Sequence, residues 1–306
     1  MHEPVLLQEV IDGLHLSSNI NCIDGTVGLG GHAAVILEHI APEGRLIGFD
    51  RDRSNLLLAT EALEQYGDRF VPVHDSYANL SHHDVVKEMG IGAILLDLGV
   101  SSVHLDNPER GFAFRMDGPL DMRFDQTTGP TAADLLNSQP EEELRRILSE
   151  YGEERAAARL ARAIVQDRQE QPFSGTADFA AMVERVVGRR PGQKIHPATR
   201  TFQALRIAVN KELDQLEEFL PQAIDLLVPG GRIAIISFHS LEDRIVKQAF
   251  KLASTECICS VDLPECRCEH VATIKRITRS VITASEEEVE GNPRSRSAKL
   301  RIAEKI

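Results

Sequence analysis

Residues 24–40 read "DGTVGLGGHAAVILEHI", a glycine cluster between an acidic residue and the first turns of a helix. Gly25, Gly28, Gly30 and Gly31 permit a tight turn and let a ligand approach the backbone, since no Cβ intervenes. With the apolar "NCID" before it, the segment reads as strand, loop and helix. The same alternation recurs outward along the chain. "GRLIGFDRD" (44–52) gives a second strand ending in acid, followed by a helical pattern. "RFVPVHDSY" (69–77) gives a third strand, and "IGAILLDLGVSS" (91–102) a fourth, apolar throughout and so suited to burial on both faces. The pattern resumes at 216–240 with a helix, a Pro-Gly-Gly turn and another apolar strand. Stretches 274–285 and 297–306 read as two further strands separated by a polar, acidic loop. Such repeated units predict a doubly wound parallel α/β sheet.

The stretch from Ser102 to about Lys211 is far too long for an ordinary crossover. Its middle, 140–171, is rich in Ala, Leu, Glu and Arg with apolar residues near helical spacing. A helical subdomain is therefore expected at 105–205, inserted after strand four into a sheet domain made of 1–104 and 206–306.

Composition narrows the function classes. A chain of 306 residues, 42% hydrophobic, can bury a substantial core. No apolar run approaches about 18–20 residues, and "MHEPVLLQEVIDGLHL" lacks the basic region of a signal peptide, so a cytoplasmic protein without a membrane partner is expected. Of five cysteines, Cys257, Cys259, Cys266 and Cys268 share one short polar loop, unlike a secreted disulfide framework. Their C-x-C-x₆-C-x-C spacing departs from the usual C-x₂₋₄-C of thiolate zinc sites, although four thiols together suit a structural metal better than packing. The metal question stays open at this point. A net charge of −13 opposes indiscriminate binding to nucleic acid and demands a local basic surface for any RNA partner. The window 185–211 offers one, with Arg185, Arg189, Arg190, Lys194, Arg200, Arg206 and Lys211 and no acid. Arg294 and Arg296 form a smaller patch. The bland alternative is that these arginines pair with acids of the insert, such as 141–143.

The loop at 24–33 does not by itself choose a ligand. A phosphate-binding Walker A loop needs Gly-Lys-Ser/Thr, which is missing. Gly28 to Ala33 satisfies the looser G-x-G-x-x-G/A of dinucleotide folds, and Asp50 lies about 20 residues on, where it can bind ribose hydroxyls. S-adenosylmethionine carries the same adenosine with an amino-acid tail, whose ammonium suits Asp24, although an Asp there also serves simply to cap a turn. Asp50, Asp75, Tyr77 and Asp97 all fall at strand ends, on the carboxyl edge where open α/β sheets bind ligands. Tyr77 can lie against an adenine or pack in the core. Asp97 follows four apolar residues, so it sits in the crevice or is a costly burial.

"DGTVGLGGH", "LLDLGVSS", "ERGFAFRMDGPLDMRFD", "YGEERAAARLARAIV", "HPATRTFQALRIAVNKEL", "PGGRIAIISFHSLEDRIVK" and "NPRSRSAKLRIAEK" together resemble the RsmH, or MraW, family of bacterial methyltransferases. The resemblance runs from "HEPVLLQEV" to the C-terminus. It implies a Rossmann-like class I S-adenosylmethionine-dependent methyltransferase sheet, and methylation of the N4 amine of a cytidine in the decoding region of small-subunit (16S) ribosomal RNA. The substrate is expected within the assembled or assembling subunit, and a homodimer is left open. By matching motif, the implied cofactor contacts are Gly30, Gly31, His32, Asp50, Tyr77, Asp97 and His104. Tyr77 stands where Phe is common in the family, and His104 where Gln is common. On residues alone, His32 reads as a helix-start residue bonding its own backbone. A nicotinamide-dependent dehydrogenase and a catalytically silent RNA-binding module are the competing readings, which fold alone does not separate.

An exocyclic cytosine amine is a weak nucleophile, so it needs orientation and a hydrogen-bond acceptor. The Asp/Asn/Ser-Pro-Pro-aromatic turn of many amino-methyltransferases is replaced here by "DLGVSS", which leaves Asp97 as the candidate acceptor. Asp117, Asp121 and the aromatics of 111–124 can line a base pocket or form an ordered loop held by Arg–Asp pairs. Ser237, His239 and Ser240 lack a nucleophile elbow and are expected to position substrate. His196 is expected to be structural or to contact RNA.

Overall fold

The computed structural model describes residues 4–189, 192, 195–259 and 267–306. Arg190, Lys194 and Cys266 lie outside the described residues. The chain divides into two compact units, Met1–Gly99 with Leu213–Ile306, and Val100–Glu212. The expected insert 105–205 falls inside the second.

The first unit is built on a seven-stranded sheet. Its strands are β1 (Asn21–Asp24), β2 (Leu46–Asp50), β3 (Phe70–His74), β4 (Ile91–Asp97), β5 (Leu227–Ser237), β6 (Ile274–Arg276) and β7 (Lys299–Lys305), in the spatial order β3-β2-β1-β4-β5-β7-β6. The first five run parallel, and β7 enters antiparallel between β5 and β6. That antiparallel insertion separates this sheet from the dinucleotide order 3-2-1-4-5-6 and makes it the class I methyltransferase sheet.

Strand alternation sends neighbouring residues to opposite faces. Leu95 of β4 and Ala234 and Ile236 of β5 join one apolar layer with Val10, Leu14, Ile36 and Leu37. Ile94, Leu96, Ile233 and Ile235 join the other with Phe219, Leu220, Val246 and Phe250. Because both faces are covered, β4 carries no polar residue until Asp97, which makes its end chemically conspicuous.

Two readings are corrected in detail. The Pro-Gly-Gly turn is a bulge within β5: Ile91 pairs with Leu227 but Ala93 with Arg232, so the intervening residues loop out, with Gly230 at φ +81°. The strand expected over 274–285 stops at Arg276, and the acidic loop after it contains a helix, Glu286–Gly291, capped by Ser285. Three glutamates in its first turn favour it electrostatically, a signal too short to read as helical periodicity.

The second unit packs helices Ala132–Ser138, Glu141–Glu150, Ala157–Glu170, Thr176–Val187 and Ala198–Asn210 around Leu136, Leu144, Ile147, Leu160, Ile164, Phe179, Val183, Phe202 and Leu205. No helix among the described residues is long and apolar enough to cross a membrane.

Candidate active site at the carboxyl edge of the sheet

The strand order reverses between β1 and β4, and the glycine loop leaves β1 at that point. Its path is fixed by hydrogen bonds to the neighbouring strand ends. Gly25 N donates to Leu95 O at 2.9 Å and Val27 N to Phe49 O at 2.9 Å. Thr26 N donates to Asp24 Oδ1 at 3.0 Å, the turn-capping use of that aspartate. Gly28 N donates to Asp50 Oδ2 at 2.9 Å, while Asp52 N donates to Asp50 Oδ1 at 2.7 Å. Asp97 N donates to Thr26 Oγ1 at 2.7 Å, stitching the end of β4 to the loop. Gly28 and Gly30 adopt φ +54° and +84°, left-handed conformations that cost a side-chain-bearing residue energy. A Cβ on Gly31 would stand 2.7 Å from the Pro4 ring, so the start of helix Gly31–His39 is sealed by the N-terminal segment.

His32 belongs to the same seal. Its Nε2 lies 3.0 Å from Val5 O, so the ring bonds the backbone of a segment distant in sequence. With Nε2 donating to that carbonyl, Nδ1 faces Asp97 Oδ2 at 3.7 Å.

Three carboxyls therefore crowd the switch point. Burial pushes Asp24 up to about 7, against the hydrogen bond from Thr26 N. Burial also pushes Asp50 up to about 7, aided by the charges of Asp52 and Asp24 and opposed by its two backbone hydrogen bonds. Asp97 rises well above the carboxylate range, first through burial and then through the charges of Asp24 and Glu242. Its Oδ1 is buried, and nothing among the described residues hydrogen-bonds to it, while the side chain as a whole is 25% exposed. The charges that shift these groups are acidic: Asp52 and Asp24 act on Asp50, and Asp24 and Glu242 on Asp97. S-adenosylmethionine brings two positive centres, a sulfonium and an ammonium, whereas a nicotinamide dinucleotide brings an anionic pyrophosphate. A cluster of carboxyls suits the first better than the second.

The remaining sequence candidates divide. Tyr77 is buried, its ring edge-on to Phe219 with centroids 5.2 Å apart. Asp75 accepts from Ser76 N, Asn79 and His83; burial raises its pKa, but these bonds outweigh it and hold the carboxyl below its ordinary value. Ser237 Oγ is buried against Lys299 O, and His239 forms a capping box with Glu242 at the start of helix Ser240–Ala253, so both serve the framework.

Within the helical unit, His104 is buried, exchanges capping bonds with Ser101 and packs its ring 4.9 Å from Phe112 and 5.2 Å from Phe124. Asp117 Oδ1 accepts from Ala177 N at the start of helix Thr176–Val187. Asp121 is forked by Arg123 with both bonds at 2.8 Å, and Asn210 ties the same loop through Met122 O and Phe124 N. Asp121 is thus held by an arginine, whereas Asp117 stays exposed. His196 lies 3.3 Å from Glu184 and its Nδ1 accepts from Ala198 N.

The basic window is partly neutralised. Arg206 is forked onto Glu212 with both bonds at 2.9 Å and the pair nearly buried, which corrects its reading as an RNA contact. Arg185 pairs with Asp167. Arg189 is exposed, 3.9 Å from Glu184, and Arg200 is exposed with one bond to Glu153 O. Sequence reasoning missed Thr26, whose hydroxyl directly after Gly25 was the available signal, and the role of Val5 and Pro4.

The MraW methylase family model matches residues 1–306. Proteins named ribosomal RNA small subunit methyltransferase H are similar over all of this chain: 51% identical in Geobacter sp. (strain M21), covering 98% of that protein, 50% in Citrifermentans bemidjiense, covering 98%, and 51% in Heliobacterium mobile, covering 99%.

Proposed function

The chain belongs to the MraW methylase family, and from that premise we propose that it is the S-adenosylmethionine-dependent enzyme that methylates the N4 amine of a cytidine in the decoding region of small-subunit ribosomal RNA, within the assembled or assembling subunit. The observation that supports this most is the crowding of Asp24, Asp50 and Asp97 around the glycine loop, which favours a ligand that carries a sulfonium and an ammonium over a pyrophosphate. Asp24, Asp50, Asp97 and the backbone of Gly30, Gly31 and His32 are the groups that hold the cofactor.

S-adenosylmethionine supplies an electrophilic methyl group when bound. The chain's part is to orient the amine and accept a proton. The amine nitrogen gains a bond to the methyl carbon as the carbon–sulfur bond breaks and sulfur keeps its electron pair; the proton the nitrogen gives up passes to the carboxylate of Asp97, which the positive charge of the cofactor would keep ionised. Exposed Arg189 and Arg200, with Arg190 and Lys194 of the same window, contact RNA phosphates. Tritiated cofactor incubated with free small-subunit RNA and with assembled subunits, followed by digestion to nucleosides, tests the reading. Label in N4-methylated cytidine from the subunit sample is expected. Label in another nucleoside, or none with either substrate, overturns it.

A further inference from the structure

A second cluster of chemistry lies outside this site, in the loop between helix Ser240–Ala253 and β6. The foot of the loop is closed by ordinary bonds: Thr273 N donates to Ala253 O at 2.8 Å, and His270 Nε2 lies 3.1 Å from Leu252 O. Beyond the foot, apolar burial does not organise its described residues. None of its described residues belongs to the buried core, and Ile258 and Val271 are more than half exposed. Yet the sulfurs of Cys257, Cys259 and Cys268 all lie within 4.8 Å of one another.

The spacing is informative. Cys268 Sγ stands 3.7 Å from Cys257 Sγ, far beyond the roughly 2.05 Å of a disulfide. Zinc–thiolate bonds of about 2.3 Å at tetrahedral angles place two sulfurs about 3.8 Å apart. The two limbs also exchange backbone donors onto sulfur across the loop. Ile258 N donates to Cys268 Sγ at 3.3 Å and Arg267 N to Cys259 Sγ at 3.2 Å. Amide donors aimed at sulfur are the outer contacts that orient metal-bound groups, and three sulfurs gathered this closely suit a soft cation.

We propose that Cys257, Cys259 and Cys268 bind a structural zinc ion that clasps the loop between helix Ser240–Ala253 and β6. A soft, closed-shell dication without geometric demands of its own suits sulfur ligands and a clasping role. It supplies a closure that apolar burial does not give the loop's described residues.

The test uses the full chain, expressed with zinc in the medium and purified without chelator. Elemental analysis should find about one zinc per chain, released by a mercurial thiol reagent. Protein stripped of zinc and titrated with Co²⁺ should develop a thiolate-to-cobalt charge-transfer band. The Cys257→Ser, Cys268→Ser double variant should lose both signals while still binding S-adenosylmethionine, because these cysteines are no part of the cofactor loop. Wild-type protein that takes up neither metal overturns the proposal. So does a variant that retains zinc, or a Cys257–Cys268 disulfide found by mass spectrometry after anaerobic purification. Should the double variant not fold, the cobalt titration of the wild type decides alone.

Discussion

Gly28 N donates a 2.9 Å hydrogen bond to Asp50 Oδ2, so the carboxylate proposed for the ribose also fastens the glycine loop proposed to receive the cofactor. Replacing it removes a ligand group and a loop clasp together. Asp50→Ala should weaken S-adenosylmethionine binding by at least about tenfold, since a hydrogen bond to a charged group contributes about 1.5–3 kcal/mol. Asp50→Asn, which keeps one acceptor, should recover part of the loss. Isothermal titration showing wild-type affinity for the alanine variant would remove Asp50 from the site.

Asp97→Asn preserves the shape of the β4 end and the Thr26 Oγ1 bond, which uses the backbone of Asp97. Loss of a proton acceptor at the reacting group should lower single-turnover methyl transfer by about 10²–10⁴. Cofactor and RNA affinities should change less. A turnover rate equal to wild type would make Asp97 a framework residue.

Burial raises Asp24 and Asp50 to about 7, which couples the cofactor to protons. The folded, ligand-free chain holds protons that the unfolded chain releases above about pH 4, so this contribution to stability is present at low pH and is lost as pH rises through 7. A cationic ligand favours the ionised carboxylates. Its binding should therefore release protons near pH 6 and tighten toward pH 8. Calorimetry in buffers of different ionisation enthalpy reads the proton count directly; no buffer dependence at pH 6 contradicts the assignment.

Arg206 and Arg189 should separate by phenotype, although they share one basic window. Arg206→Ala strands Glu212 without its buried partner and should destabilise the protein by about 3–5 kcal/mol in denaturant unfolding. Arg189→Glu with Arg190→Glu should leave stability and cofactor binding near wild type while weakening RNA. It should also flatten the dependence of log affinity on log salt by about 0.7 for each single-strand phosphate that is no longer neutralised. An unaltered salt slope would mean that RNA is held elsewhere.

What could be read in the sequence was local. The apolar runs of β1, β2, β4 and β5 and the acids ending β2 and β4 are visible because burial on both faces leaves strand ends as the places for polar chemistry. The clasps were not visible, because they join residues 22, 71 and 27 positions apart: Gly28 to Asp50, Asp97 to Thr26, and His32 to Val5. The acid-free window misled about Arg206 and Arg185 for a related reason. Glu212 stands one residue past its end and Asp167 lies 18 positions before Arg185, so the window excluded the partners that folding supplies.

The antiparallel entry of β7 between β5 and β6 bears on the order of events during synthesis. The helical unit, Val100–Glu212, is complete on the growing chain before any residue of β5 exists. The strand that fills the place between β5 and β6 is translated after both of them. Until it arrives, β5 presents an open row of amides and carbonyls, a template for pairing with other chains. The helical unit can consolidate early, whereas the sheet that carries the carboxylates stays vulnerable until nearly the whole chain has been made.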